Sequence, residues 1–316
     1  DKDAMVQATK GCDYIMHLAI TGGKDAAESI ANSERAIDAL MFAAKENQVK
    51  HVVVTSSVVV HGETIKDDLT ADSSLVSYGD AYADGKLAAE KRFWQLLDKY
   101  QLHGSVIRPT YVWGPYSMWY TIDILQQMNK GKFAWVDNGN GICNAVYVGN
   151  VVDMCIRCCT EPKADSQAFI AADGEPITWR EFYGQYLAMI GKNPKQYLSV
   201  PLRDDMIRKL RLAIRNRLEK RMSVLMAKYE SLKKTSPRTA LWIYKAPRKL
   251  LRHTRNLIIK NLPEKDAVEM AIYSQTSPIN IDKNKEVLNF VPRYSVAKGM
   301  ELTKEWLKQS DLYDVR

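Results

Sequence analysis

The sequence lacks both a long apolar run and a signal core. Its longest uncharged apolar stretch, residues 52–60, is far shorter than the roughly 20 residues that cross a bilayer. The N-terminus, Asp1-Lys2-Asp3, has neither an initiator methionine nor the apolar core of a secretory leader. We therefore expect a chain without a secretory leader, whose first residue is a cut end.

Cysteine is scarce, and its spacing is not that of a disulfide scaffold. The five cysteines are Cys12, Cys143, Cys155, Cys158 and Cys159. An odd number without such spacing favours a reducing compartment, so we expect a cytoplasmic protein. Cys155 and Cys158 form a C-x-x-C pair, but no second such pair or histidine pair completes a zinc site, and no metal is expected. Residues 151–160 instead indicate a helix whose small apolar side chains face a core.

Positive charge is concentrated in one segment of the chain. The net charge is +8, but residues 201–260 hold 18 Lys and Arg against 4 Asp and Glu, so that stretch carries +14 and the rest carries −6. Apolar side chains recur there at three- and four-residue steps from Ile207 to Leu232, which predicts an amphipathic helix. We name residues 203–260 the basic segment.

Four interpretations of the basic segment stay open. It could lie on a membrane surface and deliver lipid-soluble substrates, attract anionic sugar nucleotides, bind nucleic acid, or present a plain solvated helix face. Base-reading motifs and interleaved stacking aromatics are absent, which argues against nucleic acid. We therefore expect no nucleic-acid partner and keep peripheral membrane contact through residues 203–260 open.

Helix-like and strand-like stretches alternate over residues 1–172. Short apolar runs rich in β-branched residues between helices predict βαβ units, and hence a doubly wound parallel α/β sheet with helices on both faces. The predicted strands are residues 14–19, 51–55, 105–108, 145–148 and 168–171, and the predicted helices are residues 3–9, 26–47 and 81–100. The expected fold class is α/β.

From residue 173 onward the pattern becomes mainly helical. Residues 178–190 predict a helix with Thr178 as its N-cap and Gly191 as its stop, and a final helix begins at Val296. We expect two domains, the sheet of residues 1–172 and a smaller, mainly helical domain of residues 173–316. Residues 111–143 are expected to contribute to the smaller domain, which is expected to bind substrate.

Three polar motifs lie where strands of the predicted sheet end or the following helix begins. They are Thr55-Ser56-Ser57, Tyr82-Ala83-Asp84-Gly85-Lys86, and Arg108-Pro109-Thr110-Tyr111-Val112-Trp113-Gly114-Pro115. The carboxyl ends of parallel strands meet at one edge of a sheet, where ligands bind. We therefore expect the three motifs to form one site.

Tyr82 and Lys86 are four residues apart and share one helix face. An ammonium beside a phenol stabilises the phenolate and lowers the tyrosine pKa from about 10, which makes Tyr82 a usable general acid or base for an alcohol or a carbonyl. A serine hydroxyl from the neighbouring strand end can hydrogen-bond the same oxygen. Two other pairs share the spacing, Tyr229–Lys233 and Tyr294–Lys298. Only the Tyr82 pair lies between strand-terminal serines and a strand that ends in Arg-Pro.

These motifs resemble those of the extended short-chain dehydrogenases/reductases, the NAD-dependent epimerase/dehydratase family. Asp13-Tyr14-Ile15-Met16-His17-Leu18-Ala19 is similar to the family's strand beside the nicotinamide cofactor, and residues 53–62 are similar to its strand with the catalytic serine. Further similar segments are residues 108–115, 144–153, 173–179 and 299–306. The resemblance covers nearly the whole chain except the basic segment, and it implies a Rossmann-like fold.

The resemblance also implies site residues. Ser57, Tyr82 and Lys86 match the family's catalytic residues. The implied cofactor contacts are His17, Leu18, Ala19, Thr55, Ser56, Tyr82, Lys86, Pro109, Thr110 and Val112. We expect NAD or NADP as the cofactor, with His17 as a packing residue. Asn32 aligns with a recurrent family asparagine but fits an ordinary helix-surface position equally well. A homodimer through the two long helices is a further family expectation.

The sequence departs from the family at the phosphate-binding end. No G-x-x-G-x-x-G loop occurs, and Gly139-Asn140-Gly141 precedes a strand, so it is not a dinucleotide motif. The absent unit, with the helix and strand after it, would need roughly 50–60 residues. We therefore expect an N-terminally truncated sheet that binds cofactor poorly, with NAD and NADP undecided. Gly85 stands where many members have serine, and we expect little effect from it.

Two further differences, from sugar-nucleotide dehydratases and from galactose epimerases, narrow the class of substrate. Ser57-Val58-Val59 lacks the Thr-Asp-Glu of sugar-nucleotide dehydratases, and Arg108-Pro109-Thr110-Tyr111 differs from the Arg-Tyr-Phe-Asn of galactose epimerases. The aromatics that follow are Trp113, Tyr116, Trp119 and Tyr120. They suit an apolar or ring-bearing small-molecule substrate, or else pack the small domain. We predict an alcohol/carbonyl oxidoreductase similar to the hydroxysteroid-dehydrogenase and flavonol-reductase branches; the alternatives are a sugar-nucleotide epimerase and a non-catalytic scaffold or binding protein.

Overall fold

The computed structural model describes residues 1–62, 68–200 and 272–310. Its strands are β1 (Tyr14–His17), β2 (His51–Thr55), β3 (Gly104–Pro109), β4 (Tyr111–Trp113), β5 (Trp135–Val136), β6 (Ala145–Tyr147), β7 (Ala168–Ala171) and β8 (Ser199–Val200). Its α-helices are α1 (Lys2–Ala8), α2 (Ala26–Glu46), α3 (Ala81–Tyr100), α4 (Asp123–Asn129), α5 (Val148–Thr160), α6 (Trp179–Met189), α7 (Asp282–Leu288) and α8 (Val296–Gln309). Of the helices in these residues, none has the length and apolarity needed to span a bilayer.

Two predictions fall on residues that the structure does not describe. The basic segment 203–260 and the Tyr229–Lys233 pair both lie outside the described residues. The described residues all belong to one compact unit, and the expected division near residue 172 stays a prediction.

The main sheet has the strand order β1-β2-β3-β7, and all of its pairs are parallel. Alternate residues of β2 face opposite layers, as the two-residue period of a strand requires. Val52 and Val54 pack with side chains of α2 and α3, whereas Val53 packs with side chains of α5. The predicted α/β fold, with a parallel sheet covered by helices on both faces, is therefore confirmed.

Strand β1 pairs only with β2 among the described residues. The predicted strand of residues 14–19 is two residues too long, because the parallel ladder to β2 ends at His17 opposite Val54. Apolar side chains on alternate residues remain exposed along this edge: Tyr14 (42%), Met16 (39%), Leu18 (56%) and Ile20 (54%). The described residues thus leave one side of this edge uncovered.

Carboxylates fix the start of α3. Asp80 caps the helix by accepting a hydrogen bond from the Ala83 amide at 2.8 Å. The Asp84 carboxylate reaches back and accepts from the amides of Tyr78 at 3.2 Å and Gly79 at 3.0 Å. These bonds hold the entering chain, and they place the first turn of α3 beside the carboxyl ends of β2 and β3.

Two short parallel sheets, β4 with β6 and β5 with β8, are separate from the main sheet. The prediction that residues 145–148 form a strand of the main sheet is wrong. Ala145–Tyr147 pairs with β4 instead, and Val148 begins α5. The Asp173 carboxylate accepts from the Tyr147 amide at 3.0 Å, which links β6 to the segment after β7. Thr178 caps α6 as predicted, through a capping box with Glu181.

The aromatic residues predicted to bind substrate have different environments. Trp113 is fully buried and packs edge-to-face on Phe182 at 5.0 Å between ring centroids, so for Trp113 the packing alternative holds. Tyr120 contacts Tyr111 at 5.5 Å. Tyr116 and Trp119, by contrast, are 80% and 64% exposed.

Helix α5 carries Cys155 and Cys158 into the core against β2, β3 and β7. All five cysteines are free, and four of them are buried. Burial raises the pKa of Cys155 to about 12, so this thiol stays protonated and unreactive at neutral pH. The predicted helix with small apolar residues facing a core is confirmed.

Candidate active site

The structure brings the first two polar motifs to one edge of the sheet. Thr55 ends β2, and Tyr82 and Lys86 lie in the first turns of α3. A small cleft opens here, lined by His17, Ala19, Ile20, Thr21, Ser33, Val54, Thr55, Tyr82, Lys86 and Ala89. Five of the predicted site residues therefore share one cleft: His17, Ala19, Thr55, Tyr82 and Lys86. The Tyr294–Lys298 pair lies elsewhere, with Lys298 bonded to Glu301 at 2.8 Å.

Lys86 is the buried cation of the cleft, with only 9% of the residue exposed. Its ammonium donates a hydrogen bond to the backbone carbonyl oxygen of Thr55 at 2.8 Å. Loss of hydration on burial lowers its pKa from 10.5 to about 8. Lys86 is thus mostly charged at neutral pH, and the two remaining donors of its ammonium can serve a ligand.

Tyr82 stays 41% exposed at the mouth of the cleft. Its pKa is raised, chiefly because burial of the phenol oxygen disfavours the phenolate, and Asp80 adds to the rise. A hydrogen bond to the Ser57 side chain acts in the opposite direction. The net direction is opposite to the predicted lowering of this pKa by Lys86, whose ammonium is bonded to Thr55 instead.

The three residues at the end of β2 have different roles in the geometry. The Thr55 hydroxyl donates to the backbone oxygen of His17 at 2.7 Å and so joins the ends of β1 and β2. Ser57 is buried, caps the short helix Val58–His61 and hydrogen-bonds Tyr82. The Ser56 hydroxyl is buried without a hydrogen-bond partner in the described part of the chain. An unpaired hydroxyl of this kind carries a desolvation cost that a ligand atom could relieve.

His17 is a neutral residue of this site at physiological pH. Burial, and then the positive charge of Lys86, lower its pKa from 6.5 to about 4. The interpretation of His17 as a packing residue stays a prediction. Leu18 and Ala19, the next predicted cofactor contacts, are exposed beyond the end of β1.

The third motif supplies fewer cleft residues than predicted. Pro109, Thr110 and Val112 are not among the residues that line the cleft. The Thr110 hydroxyl donates to the Ala171 backbone oxygen at 3.1 Å, and Val112 packs against the core around α5. Their contact with a cofactor stays a prediction.

The loop after β1 and helix α2 each supply a hydroxyl group that sequence reasoning missed. The Thr21 and Ser33 hydroxyls bond each other at 2.8 Å beside Lys86 and Tyr82 in the cleft lining. The neighbouring Asn32 amide donates to the Gly22 backbone oxygen at 2.7 Å, so it anchors this loop to α2. The sequence offered one indication of these groups. Asn32 aligns with a recurrent family asparagine, and Ser33 is the next residue of the same helix.

Comparison with known sequences finds a matching family model and several curated relatives of this chain. A sequence model of the 3-beta hydroxysteroid dehydrogenase/isomerase family matches residues 1–202. A 2-alkyl-3-oxoalkanoate reductase of Shewanella oneidensis is 26% identical over 209 residues, which are 60% of this chain and 52% of that protein. A UDP-glucose 4-epimerase of Vibrio cholerae is 28% identical over 161 residues, 50% of this chain and 48% of that protein. A 3beta-hydroxysteroid-dehydrogenase/decarboxylase of Arabidopsis thaliana is 24% identical over 211 residues, covering 60% of this chain and 36% of that protein.

Solved structures share the fold at low sequence identity. A UDP-glucuronic acid 4-epimerase from Bacillus cereus in complex with NAD has a TM-score of 0.65 at 14% identity, covering 97% of this chain and 78% of that chain. A UDP-glucose 4-epimerase from Thermotoga maritima with UDP-glucose has a TM-score of 0.61 at 17% identity, covering 98% of this chain and 82% of that chain. The chain spans about half the length of the first two curated relatives, 52% and 48%.

Proposed function

Because the chain belongs to the 3-beta hydroxysteroid dehydrogenase/isomerase family, we propose that it is an NAD(P)-dependent oxidoreductase acting at an alcohol or carbonyl. The observation that carries the proposal is one group of contacts. Tyr82 and Lys86 line the same cleft, Ser57 hydrogen-bonds Tyr82, and Lys86 is fixed on Thr55. This group has the residue types that a hydride-transfer enzyme needs to move the accompanying proton.

The three catalytic residues have distinct roles in this proposal. The Tyr82 oxygen accepts the alcohol proton in oxidation and donates a proton to the carbonyl oxygen in reduction. Ser57 donates a hydrogen bond that orients the substrate oxygen and favours phenolate on Tyr82. Lys86 contributes a charged ammonium with two donors that its Thr55 bond leaves available.

The site suits the nicotinamide-ribose end of a dinucleotide. The buried Ser56 hydroxyl has no partner in the described residues, and Lys86 has donors to spare. When bound, NAD or NADP supplies the hydride acceptor or donor. We propose as its contacts the set implied by the resemblance: His17, Leu18, Ala19, Thr55, Ser56, Tyr82, Lys86, Pro109, Thr110 and Val112. The choice between the two cofactors stays open.

An apolar or ring-bearing substrate is the first candidate. The family and the Arabidopsis dehydrogenase relative are named for hydroxysteroids, and Tyr116 and Trp119 offer exposed aromatic faces after β4. A nucleotide-sugar epimerase is the second candidate, since a curated relative and the solved structures include UDP-sugar epimerases. In both, the substrate is a small molecule, and residues 173–316 are proposed to contribute its pocket.

Turnover of the Tyr82→Phe variant is the direct test. The protein is incubated separately with a 3β-hydroxysteroid and NAD or NADP, with a 3-oxoalkanoate and NADH or NADPH, and with UDP-glucose and NAD. Nicotinamide absorbance follows the first two reactions. Chromatography of the UDP-sugar follows the third, because epimerisation leaves the net redox state of the cofactor unchanged. We expect Tyr82→Phe to lose at least about 100-fold in kcat, because the group that transfers the proton is removed. Tyr14→Phe, at an exposed position of β1, is the matched control and should retain full activity.

Each outcome of this test decides between the candidates. Full turnover by Tyr82→Phe contradicts the catalytic assignment. Turnover of UDP-glucose without turnover of steroid or oxoalkanoate selects the epimerase. If the unmodified protein binds NAD or NADP in a titration but turns over none of the three substrates, the binding-protein alternative replaces the enzyme.

A further inference from the structure

Arg108 is a buried cation with contacts on three sides. Only 4% of Arg108 is exposed, and its partner Glu90 is fully buried. The guanidinium forms a fork on the Glu90 carboxylate, with Nε to Oε2 at 3.2 Å and a second, shorter contact from a terminal nitrogen to Oε1. Glu90 lies one helical turn after Lys86 in α3, so this pair ties the Lys86 face of α3 to the end of β3.

The same guanidinium also holds the segment of residues 69–79, which leads into α3. Its remaining terminal nitrogen donates to the Ala71 backbone oxygen at 2.5 Å and faces Nε2 of His61 at 3.3 Å. The other ring nitrogen of His61, Nδ1, faces the Ser74 backbone oxygen at 3.2 Å. Arg108 therefore contacts the segment both directly and through His61.

The protonation state of His61 follows from its two partners. The guanidinium can only donate, so Nε2 must be an acceptor, and the carbonyl can only accept, so Nδ1 must carry the hydrogen. Both contacts are made only by the neutral Nδ1–H form of the ring. A proton on Nε2 would face the N–H of Arg108 and add a second positive charge beside it.

The 69–79 segment borders the proposed site. Its Val76 amide donates to the Val60 backbone oxygen at 2.8 Å, and its last two amides, Tyr78 and Gly79, bond Asp84 in the first turn of α3. Tyr82 lies in the same turn. Displacement of the segment would therefore change the environment of the catalytic tyrosine.

We propose that Arg108 is a positioning residue: with Glu90 and neutral His61 it clamps the 69–79 segment beside Tyr82, and protonation of His61 releases this clamp. The clamp itself is independent of the chemistry assigned above. Only its effect on turnover rests on the proposed function.

The surrounding charges set the direction of the pH response. Among the described residues, the charged groups that face His61 are Arg108 on β3 and Glu90 on α3, and residues of the segment present backbone carbonyls. Burial first, and then the charge of Arg108, lower the pKa of His61 below 6.5. The unfolded or released state consequently binds the proton more readily. The clamp is intact above about pH 6.5 and weakens as the pH falls below that value.

Hydrogen exchange of the Val76, Tyr78 and Gly79 amides tests the clamp without any activity. Rates are corrected for the intrinsic effect of pH and measured between about pH 7.5 and about pH 4.5. In the unmodified protein we expect exchange in residues 69–79 to accelerate at least about 10-fold at the acid end, while β2 stays protected. His61→Gln cannot be protonated, so its segment should show no such pH response.

Arg108→Lys supplies the second arm, because lysine cannot form the fork and reach Ala71 together. We expect fast exchange of the segment at every pH. The matched control is Arg92→Lys, which alters the ion pair between Arg92 of α3 and Asp38 of α2 and should leave the segment protected. If Arg108→Lys does not fold, the pH response of hydrogen exchange in the unmodified protein and in His61→Gln still tests the proposal.

Equal protection at both ends of the pH range, or a pH response that persists in His61→Gln, overturns the proposal. In turnover, the unmodified protein should lose kcat/KM at acid pH by a step that His61→Gln lacks. Absence of turnover at any pH would count against the proposed function alone, since the exchange result stands by itself.

Discussion

The Lys86 ammonium donates a 2.8 Å hydrogen bond to the backbone carbonyl of Thr55, the last residue of β2. The lysine and the strand end are 31 positions apart in the chain, and the contact joins α3 to the edge of the sheet. Because this site is buried, the positive charge is present at a cost in hydration. The residue proposed for catalysis is thus also one that destabilises the fold.

Replacement of Lys86 by methionine should increase stability. The pKa of Lys86 falls from 10.5 to about 8 on folding, so the penalty is complete below pH 8 and disappears as the pH rises to 10.5. We expect Lys86→Met to raise the free energy of unfolding by about 1–2 kcal/mol near neutral pH, after loss of the Thr55 bond is included. Urea denaturation at several pH values measures this. Lys91→Met, exposed on the same helix, is the control, and an equal gain there would contradict the explanation.

The Tyr82 pKa should respond with opposite signs to its two neighbours. Ser57→Ala removes the hydrogen bond that lowers this pKa and should raise it further. Asp80→Asn removes a negative charge that raises it and should lower it, while asparagine still caps α3. Ultraviolet titration of the phenolate, with the Tyr82→Phe spectrum subtracted, gives both shifts. Shifts of the same sign in the two variants would show that another group controls the phenol.

The hydroxyl groups of two buried tyrosines should contribute differently to the free energy of unfolding. The Tyr111 hydroxyl is buried with no hydrogen-bond partner in the described residues, whereas the Tyr186 hydroxyl bonds Thr121 at 3.0 Å. Tyr111→Phe should therefore be neutral or stabilising, because it removes an unpaired polar group. Tyr186→Phe should cost about 1 kcal/mol in guanidinium denaturation. If Tyr111→Phe were more destabilising than Tyr186→Phe, the Tyr111 hydroxyl would make a hydrogen bond in solution.

Two helix glycines form a further matched pair. A Cβ at Gly299 in α8 would come within 2.6 Å of the Trp113 ring, whereas one at Gly184 in α6 would meet nothing within 4 Å. Gly299→Ala should lose about 1–3 kcal/mol from overpacking. Gly184→Ala should gain up to about 1 kcal/mol from helix propensity. Thermal denaturation with near-ultraviolet circular dichroism reports both, and a stable Gly299→Ala would show that α8 can move away from Trp113.

Local patterns predicted the regular elements well. The valine-rich run became β2 at the predicted residues 51–55, and α3 covers the predicted residues 81–100. The predictions were wrong where pairing with a neighbouring strand decides the extent or the sheet of a strand. The strand predicted to reach residue 19 ends at His17, and Ala145–Tyr147 pairs outside the main sheet, because a strand exists only where a neighbour continues its ladder.

The sequence by itself determined the alternation of strands and helices and the four-residue spacing that puts Tyr82 and Lys86 on one helix face. The tertiary structure decided how these groups behave. Burial raises the pKa of Tyr82, although the sequence predicted a lowering. The fold also brings Glu90, His61 and Ala71 into contact with Arg108. Periodicity is a local property of the chain, whereas hydration and hydrogen-bond partners come from residues that only the fold brings together.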